Sequence, residues 1–309
     1  MDHLRNKKIS SFTYISVEDI EPSPLNTFSR YPADKYNELK ASIESQGLLE
    51  PIIVRPSNCC QSYSIGRPYE ILSGENRYLI CKELKMETVK CTIYKTDDIS
   101  ASIIMTQSNI QREISEIELA RSYRQTYDLM RSSYGGDRKS LEYRVSTGYH
   151  DGNLLEGKDK TLVSLAGIYG ISPMTLYRKI RLTYLDETVL DKYVKGKITQ
   201  NQAVHISYAD KDMQLCLMGY YSSTDKNWID NKRAEAIGKE AKRLDGKITP
   251  NQIDRIMRTT NNDSSAVSYK KESKYYVPAC LFPSHVKKKD RQSYIEKALK
   301  FIRNNDIEL

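Results

Sequence analysis

The chain has 309 residues, of which 39% are hydrophobic and 28% charged, and 48 Lys and Arg against 40 Asp and Glu leave a formal net charge of +8. That length predicts two or three domains with cores of their own. The composition excludes a membrane-spanning helix, because no apolar run approaches the ~18 residues a bilayer demands, and the polar start from Met1 to Ser10 has no signal-peptide core.

Phe12 to Val17 reads as a short strand, closed by Glu21-Pro22-Ser23-Pro24, where two prolines forbid further ladder pairing. Asp34 to Gln46 carries Tyr36, Leu39 and Ile43 at helical spacing and ends at Gly47, a natural C-cap. Ile52 to Val54 and Tyr69 to Leu72 are buried-strand runs. A helix from Gly74 to about Leu84 follows, then an alternating strand from Thr88 to Tyr94. Together these predict an α/β unit of about one hundred residues. Ile103 to Asn109 and Glu113 to Met130 read as helices, the second with Ile114, Ile117, Ala120, Tyr123 and Leu129 as its stripe. From Arg131 to Lys160 the period is lost, as in a long functional or mobile loop. The loop holds a basic turn, Gly135 to Ser140. It also holds Gly152-Asn153-Leu154-Leu155-Glu156-Gly157-Lys158-Asp159, which fails as a phosphate loop because Asp stands where a Ser or Thr hydroxyl is required.

Lys160 to Leu185 has the pattern of a helix-turn-helix. Leu162, Leu165, Ala166 and Tyr169 form the inner face of the first helix, Gly170 makes the turn, and Ser172 caps a second helix with Pro173 at its first position. Leu176 and Ile180 point to the core of that second helix. Met174, Arg178 and Arg181 are expected on the opposite face, flanked by Thr175 and Lys179. Arg suits bidentate contacts to guanine, and hydroxyl and ammonium groups suit phosphates. No acid occurs from Thr161 to Tyr184. Charge agrees: residues 1–112 carry 14 basic and 14 acidic side chains, so the basic excess lies wholly beyond them. Further on, Gly196-Lys197-Ile198-Thr199-Gln200-Asn201-Gln202 recurs as Gly246-Lys247-Ile248-Thr249-Pro250-Asn251-Gln252, each copy reading as a helix end followed by a capping box. Thr259 to Ser265 looks like a linker, Tyr275 to Phe282 a strand, and Lys287 to Asn304 a helix. The six cysteines (Cys59, Cys60, Cys81, Cys91, Cys216 and Cys280) form no C-x-x-C pair, so a reducing, cytoplasmic setting is expected rather than a disulfide framework.

Several phrases converge on one family. Ile20 to Pro24, and Ser42 to Pro56 (Ser-Ile-Glu-Ser-Gln-Gly-Leu-Leu-Glu-Pro-Ile-Ile-Val-Arg-Pro), resemble the opening of ParB-type chromosome and plasmid partition proteins. Tyr69 to Tyr78 resembles the family's G-E-R-R box, and Ser108-Asn109-Ile110-Gln111-Arg112 its E-N-I-Q-R box. The resemblance covers roughly Val17 to Ala209. It implies an α+β multidomain chain: a ParB-like nucleotide-binding domain over 1–112, a helical DNA-binding domain over 113–258 with its helix-turn-helix near 160–185, a linker over 259–274, and a small α/β dimerisation piece over 275–309. By that resemblance, CTP and Mg²⁺ close two protomers around double-stranded DNA carrying a centromere-like or palindromic site, and a ParA-type ATPase is a partner.

The resemblance also assigns residues. Gly74, Glu75, Asn76 and Arg77 form the phosphate box, with Gly74 allowing close backbone approach and the helix start offering N–H groups. Arg112 adds a second phosphate cation, Asn109 coordinates the triphosphate-bound Mg²⁺, and Gly47, Leu48, Leu49 and Pro51 wall the base. Ser172, Met174, Thr175, Arg178, Lys179 and Arg181 face DNA. Two positions depart from the family: Asn76 replaces an Arg, and Ser108 replaces a Glu of the hydrolysis chemistry, which predicts weak or absent turnover. Three other readings compete with this one. One is a ParB-like transcriptional regulator without a nucleotide cycle. The second is a nuclease, which lacks any H-x-H, H-N-H or D…E-x-K cluster. The third is a sulfiredoxin-like enzyme, which would need a Cys in the Ser73–Arg77 loop. The C-terminal piece is too short for a core of its own, so a homodimer would bury its Leu281, Tyr294, Leu299 and Ile302. Lys287-Lys288-Lys289 would add non-specific DNA affinity.

Overall fold

The computed structural model describes residues 7–8, 12–133, 159–221, 228–258, 294–295 and 297. The glycine-rich loop with its failed phosphate motif, the linker, and the C-terminal piece apart from helical Tyr294, Ile295 and Lys297 lie outside the described residues. The chain packs as two compact units that divide between Thr183 and Tyr184. The first therefore runs past the expected boundary at 112 and includes the helix pair near 160–182.

In the first unit, strands β1 (Lys7–Lys8), β2 (Thr13–Ser16), β3 (Ile20–Pro22), β4 (Ile52–Pro56), β5 (Tyr69–Ser73) and β6 (Thr88–Lys95) form a mixed sheet ordered β1-β6-β4-β5-β3, with β2 also pairing β6. β4 lies parallel to β6 and antiparallel to β5, while β3 is parallel to β5. β4 is central, and Ile52 and Val54 are wholly buried. Helix α1 (Ala33–Gln46) lays Tyr36, Leu39 and Ile43 on the sheet's core and stops at Gly47, whose φ of 75° suits only glycine at no steric cost. Helix α2 (Glu75–Glu83) follows β5 directly and buries Tyr78, Ile80 and Cys81 in the same core.

Helix α3 (Asp98–Ile110) starts five residues before the expected helix, because its buried face is partly polar: Ser102 and Thr106 face Thr126 and Ser122 of α4 (Glu116–Ser133), with Ser102 Oγ 2.7 Å from Thr126 Oγ1. Such hydroxyl pairs satisfy each other in a packed interface. Ile117, Ala120, Tyr123, Tyr127 and Met130 are the buried stripe of α4. Helices α5 (Lys160–Tyr169) and α6 (Pro173–Leu182) join through Gly170, at φ 67°, and Ser172, whose hydroxyl caps Thr175 N at 3.0 Å. Leu162, Leu165 and Ala166 of α5, and Leu176 and Ile180 of α6, are buried, as the apolar pattern predicts.

One buried charge cluster has no counterpart in the sequence reading. Arg55 on β4 and Glu70 on β5 are both 0% exposed; Arg55 Nε donates to Glu70 at 2.6 Å and Nη2 to Asp98, at the foot of α3, at 2.8 Å. Ser23 and Tyr63 also bond Glu70, and the backbone N–H groups of Gln61 and Ser62 donate to Asp98. Burial alone would raise Asp98, but the bonds from Ser62 and Arg55 hold it below the ordinary aspartate value. Burial, then Glu70 beside it, pushes the Cys60 thiol up to about 12, so it stays protonated. Cys59, Cys60, Cys81 and Cys91 are free thiols.

The second unit contains α7 (Glu187–Val194), α8 (Gln200–Ile206), α9 (Lys211–Met218), α10 (Asn231–Arg243) and α11 (Pro250–Arg258). Both copies of the repeated phrase are helix punctuation. Ile198 and Ile248 are buried, and Thr199 with Gln202, like Thr249 with Gln252, bond reciprocally as a capping box. Helices α8 and α10 cross where Gly238 has no side chain: a Cβ there would stand 2.7 Å from His205 Nδ1. No helix among the described residues is long and apolar enough to cross a membrane.

Candidate functional site

A cavity of about 310 Å³ opens in the first unit where β5 turns into α2. Gly74 makes that turn at φ 97°, and no side chain caps the helix it starts. The first N–H groups of α2 therefore remain available to an anion, and the helix dipole favours one. Gly74 is required twice here. Its φ is left-handed, and an added Cβ would stand 3.0 Å from Arg77 Nη2.

The cations around the cavity are held chiefly by neutral groups. Arg77 Nη1 donates to the carbonyls of Glu50 and Pro51 at 2.9 and 3.0 Å, with an outer ion pair to the exposed Glu50 carboxylate at 3.3 Å. Arg112, just past α3, donates to the Asn109 side-chain oxygen and to Ser29 O, and its guanidinium lies 4.3 Å over the Tyr31 ring. Its Nε is buried with no hydrogen-bond partner among the described residues. The Asn109 amide donates back to Met105 O at 2.7 Å, which fixes its oxygen outward toward Arg112, and the Ser108 hydroxyl donates to the same carbonyl at 3.0 Å.

The expected phosphate residues thus meet in one place: Gly74, Glu75, Asn76, Arg77, Ser108, Asn109 and Arg112 all line the cavity. Asn76 does more than replace a cation. It is buried, and its side-chain oxygen accepts from Tyr31 N at 3.1 Å, while Glu75 accepts from Asn26 at 2.5 Å. These two bonds fasten the segment from Asn26 to Tyr31 across the mouth. Gly47, Leu48, Leu49 and Pro51 do not line the cavity. Leu48 packs against the sheet core, Leu49 is 64% exposed, and Pro51 contributes only its carbonyl to Arg77; Glu50 lines the cavity in their place.

The sequence reading missed the opposite wall. Ser29, Arg30 and Tyr31 line this cavity and an adjoining one of about 450 Å³. Arg30 is exposed, and no ion pair among the described residues engages it. The signal was an Arg-Tyr pair stranded between a proline-rich turn and the first helix. Glu118 on α4 accepts from Ser29 N at 2.8 Å and from Ser115 N and Oγ, and although partial burial alone would raise it, these bonds bring it down to about 2.

On α6, Ser172, Met174, Thr175 and Arg178 are exposed as expected. Lys179 is 20% exposed, its Nζ 2.9 Å from Glu116 Oε1 on α4. Arg181 is a correction: it is 3% exposed and not on the outer face. One turn after buried Tyr177 and next to Ile180, it falls within an inner stripe broader than Leu176 and Ile180 alone.

Residues 2–110 match the ParB N-terminal domain family. Among curated proteins, the chain is 26% identical over 238 residues to a nucleoid occlusion protein of Listeria innocua, covering 76% of this chain and 70% of that one. It covers 60% of the corresponding protein of Listeria monocytogenes, also at 26% identity. Among solved structures, it is similar to the C-terminally truncated chromosome-partitioning protein ParB of Caulobacter crescentus complexed to the centromeric parS site, at 20% identity and a TM-score of 0.39 over 74% of this chain and 99% of that one. The same truncated protein complexed with CTP-gamma-S gives 23% identity and a TM-score of 0.30 over 65% and 93%. The segment that matches the ParB N-terminal domain family is the one whose boxes gather round this cavity.

Proposed function

We propose that the chain is a sequence-specific DNA-binding partition protein whose N-terminal cleft takes CTP, and that CTP with Mg²⁺ closes two copies as a clamp on DNA. The observation that carries this reading is the convergence of seven box residues on a single cavity at an uncapped helix start. In this reading residues 1–112 are the nucleotide module, the helices of 113–258 include the DNA reader, and 275–309 pair two copies. A centromere-like site, a ParA-type ATPase partner, and a cytoplasmic, nucleoid- or plasmid-associated location complete it.

The residues present fit a nucleotide. A cavity of this size suits a small ligand, and the buried Nε of Arg112 is a donor awaiting an acceptor. When bound, a triphosphate supplies concentrated negative charge and phosphate oxygens for Mg²⁺. The α2 N–H groups would receive phosphate, Arg77 and Arg112 would flank it, and Tyr31 would hold Arg112 in place. No group of His, Cys, Asp or Glu among the described residues is arranged to hold a metal, so Mg²⁺ would arrive with the phosphates and find the Asn109 oxygen. Ser108 contributes a hydroxyl already turned onto Met105 O, and hydrolysis is expected to be weak or absent.

One observation favours a second reading, a DNA-binding regulator without a nucleotide cycle: Arg77 and Arg112 are already hydrogen-bonded within the protein. Calorimetric titration with CTP, ATP, GTP and UTP separates the two. Saturable binding of CTP alone is expected, and no binding of any nucleotide would leave the regulator. For DNA, Arg178→Ala should cost about 1–3 kcal/mol at a site selected from random sequence and relax its preference; an equal loss on random duplex would make Arg178 a phosphate contact. Truncation at Asn261 should convert a dimer to a monomer in sedimentation.

A further inference from the structure

The α6 helix carries three cations near the face assigned to DNA, and the structure treats each differently. Arg178 is exposed, Arg181 is buried, and Lys179 is drawn sideways onto Glu116 in the first turn of α4. The pair is 2.9 Å long, with side chains only 20% and 37% exposed. Water and salt therefore screen it less than a free surface pair. A second tie lies one turn further on, at the C-cap: Arg124 Nη1 donates to Thr183 O at 3.3 Å and Oγ1 at 3.2 Å. The last turn of α6 is therefore held to α4 at two points, and Lys179 is kept beside Glu116. Yet it stands one turn beyond exposed Thr175, on the flank where a phosphate would pass.

We propose that Glu116 withholds Lys179 from DNA, an internal carboxylate occupying the ammonium that a backbone phosphate would otherwise take. This rests on the DNA-binding reading of α6. Phosphate contacts raise affinity for every sequence, whereas base contacts discriminate. By removing one cation from the phosphate set, Glu116 lowers binding to random DNA and leaves recognition to Arg178 and Met174. Glu116 is then a positioning residue for specificity, acting through Lys179.

The test is fluorescence anisotropy of the full chain on a random-sequence duplex across a series of salt concentrations. Glu116→Gln frees Lys179 and should tighten binding about three- to eightfold at ~0.1 M salt, and steepen the log–log salt slope by about 0.9, the increment for one added phosphate contact. Lys179→Gln should abolish the gain when combined with Glu116→Gln. Glu116→Asp keeps the charge but shortens its reach, so it should also tighten binding. Three results would overturn the proposal: no gain in Glu116→Gln, a gain that survives in the double variant, or a gain in Gln but none in Asp. The last two would make Glu116 a long-range charge rather than a restraint. If the wild-type chain binds no duplex at any salt concentration, the DNA-binding reading fails instead. Thermal melts of each variant separate a binding change from a folding change, and Asp serves if Gln does not fold.

Discussion

Two arginine centres in the first unit answer the same problem in opposite ways. Arg55 is sealed among carboxylates, Glu70 and Asp98, with the Ser23 and Tyr63 hydroxyls and two backbone N–H groups recruited to them. Arg112 is steadied by an amide oxygen, a carbonyl and an aromatic face, none of which cancels its charge. A buried charge that is neutralised serves the fold, while one that is positioned without being neutralised is kept for a ligand. Arg77 lies between these limits, since its carbonyl partners are close and its one carboxylate, on Glu50, is exposed.

The largest test of the contrast is Arg55→Ala. It strands two buried carboxylates and should cost about 3–5 kcal/mol in denaturant unfolding. Because the stranded groups can be relieved by taking up protons, the deficit should shrink as pH falls. Arg112→Ala should do the converse: folding stability nearly unchanged, CTP binding weakened by about 1.5–3 kcal/mol in titration, the range for a charged hydrogen bond. If Arg112→Ala unfolds the protein as Arg55→Ala does, the distinction between the two centres collapses. Gly74→Ala comes next, at about 1–2 kcal/mol for an L side chain in the left-handed region. It should also weaken nucleotide binding, because the new methyl displaces Arg77. The smallest effect is at Glu118. Its folded pKa is depressed, so its contribution is present above the ordinary glutamate range and is lost as pH falls toward about 2. Glu118→Gln should lower stability modestly at neutral pH and flatten its acid limb, so that wild type and variant converge as pH falls toward about 2.

Most of the α/β unit was legible because its elements announce themselves locally: alternation in β6, a proline turn before α1, a glycine between β5 and α2. The helix pair was legible for the same reason, with a glycine turn and a Ser-Pro cap. What escaped was set by tertiary context. Arg55, Glu70 and Asp98 are far apart in sequence, and nothing in an isolated Arg or Glu tells that it will be buried with a partner. The start of α3 was hidden because Ser102 and Thr106 fill core positions that a hydrophobic period cannot register. Arg181 was misplaced because only Leu176 and Ile180 were counted as inward, and Tyr177, amphipathic by composition, carried the stripe one residue further. The base wall of Gly47, Leu48, Leu49 and Pro51 rests on resemblance, and of that stretch Glu50 is the residue that lines the cavity.

Helix α3 joins the two arginine centres end to end. Asp98 at its first residue is clamped by Arg55, while Ser108, Asn109 and Arg112 stand at and just beyond its far end. Thirteen residues make a rod about 20 Å long, so a tilt of about 3° at the foot swings the tip by about 1 Å. That displacement is enough to break a charge-assisted hydrogen bond. The salt-bridged foot is therefore an alignment pin, and its angular tolerance is set by the cleft it never touches.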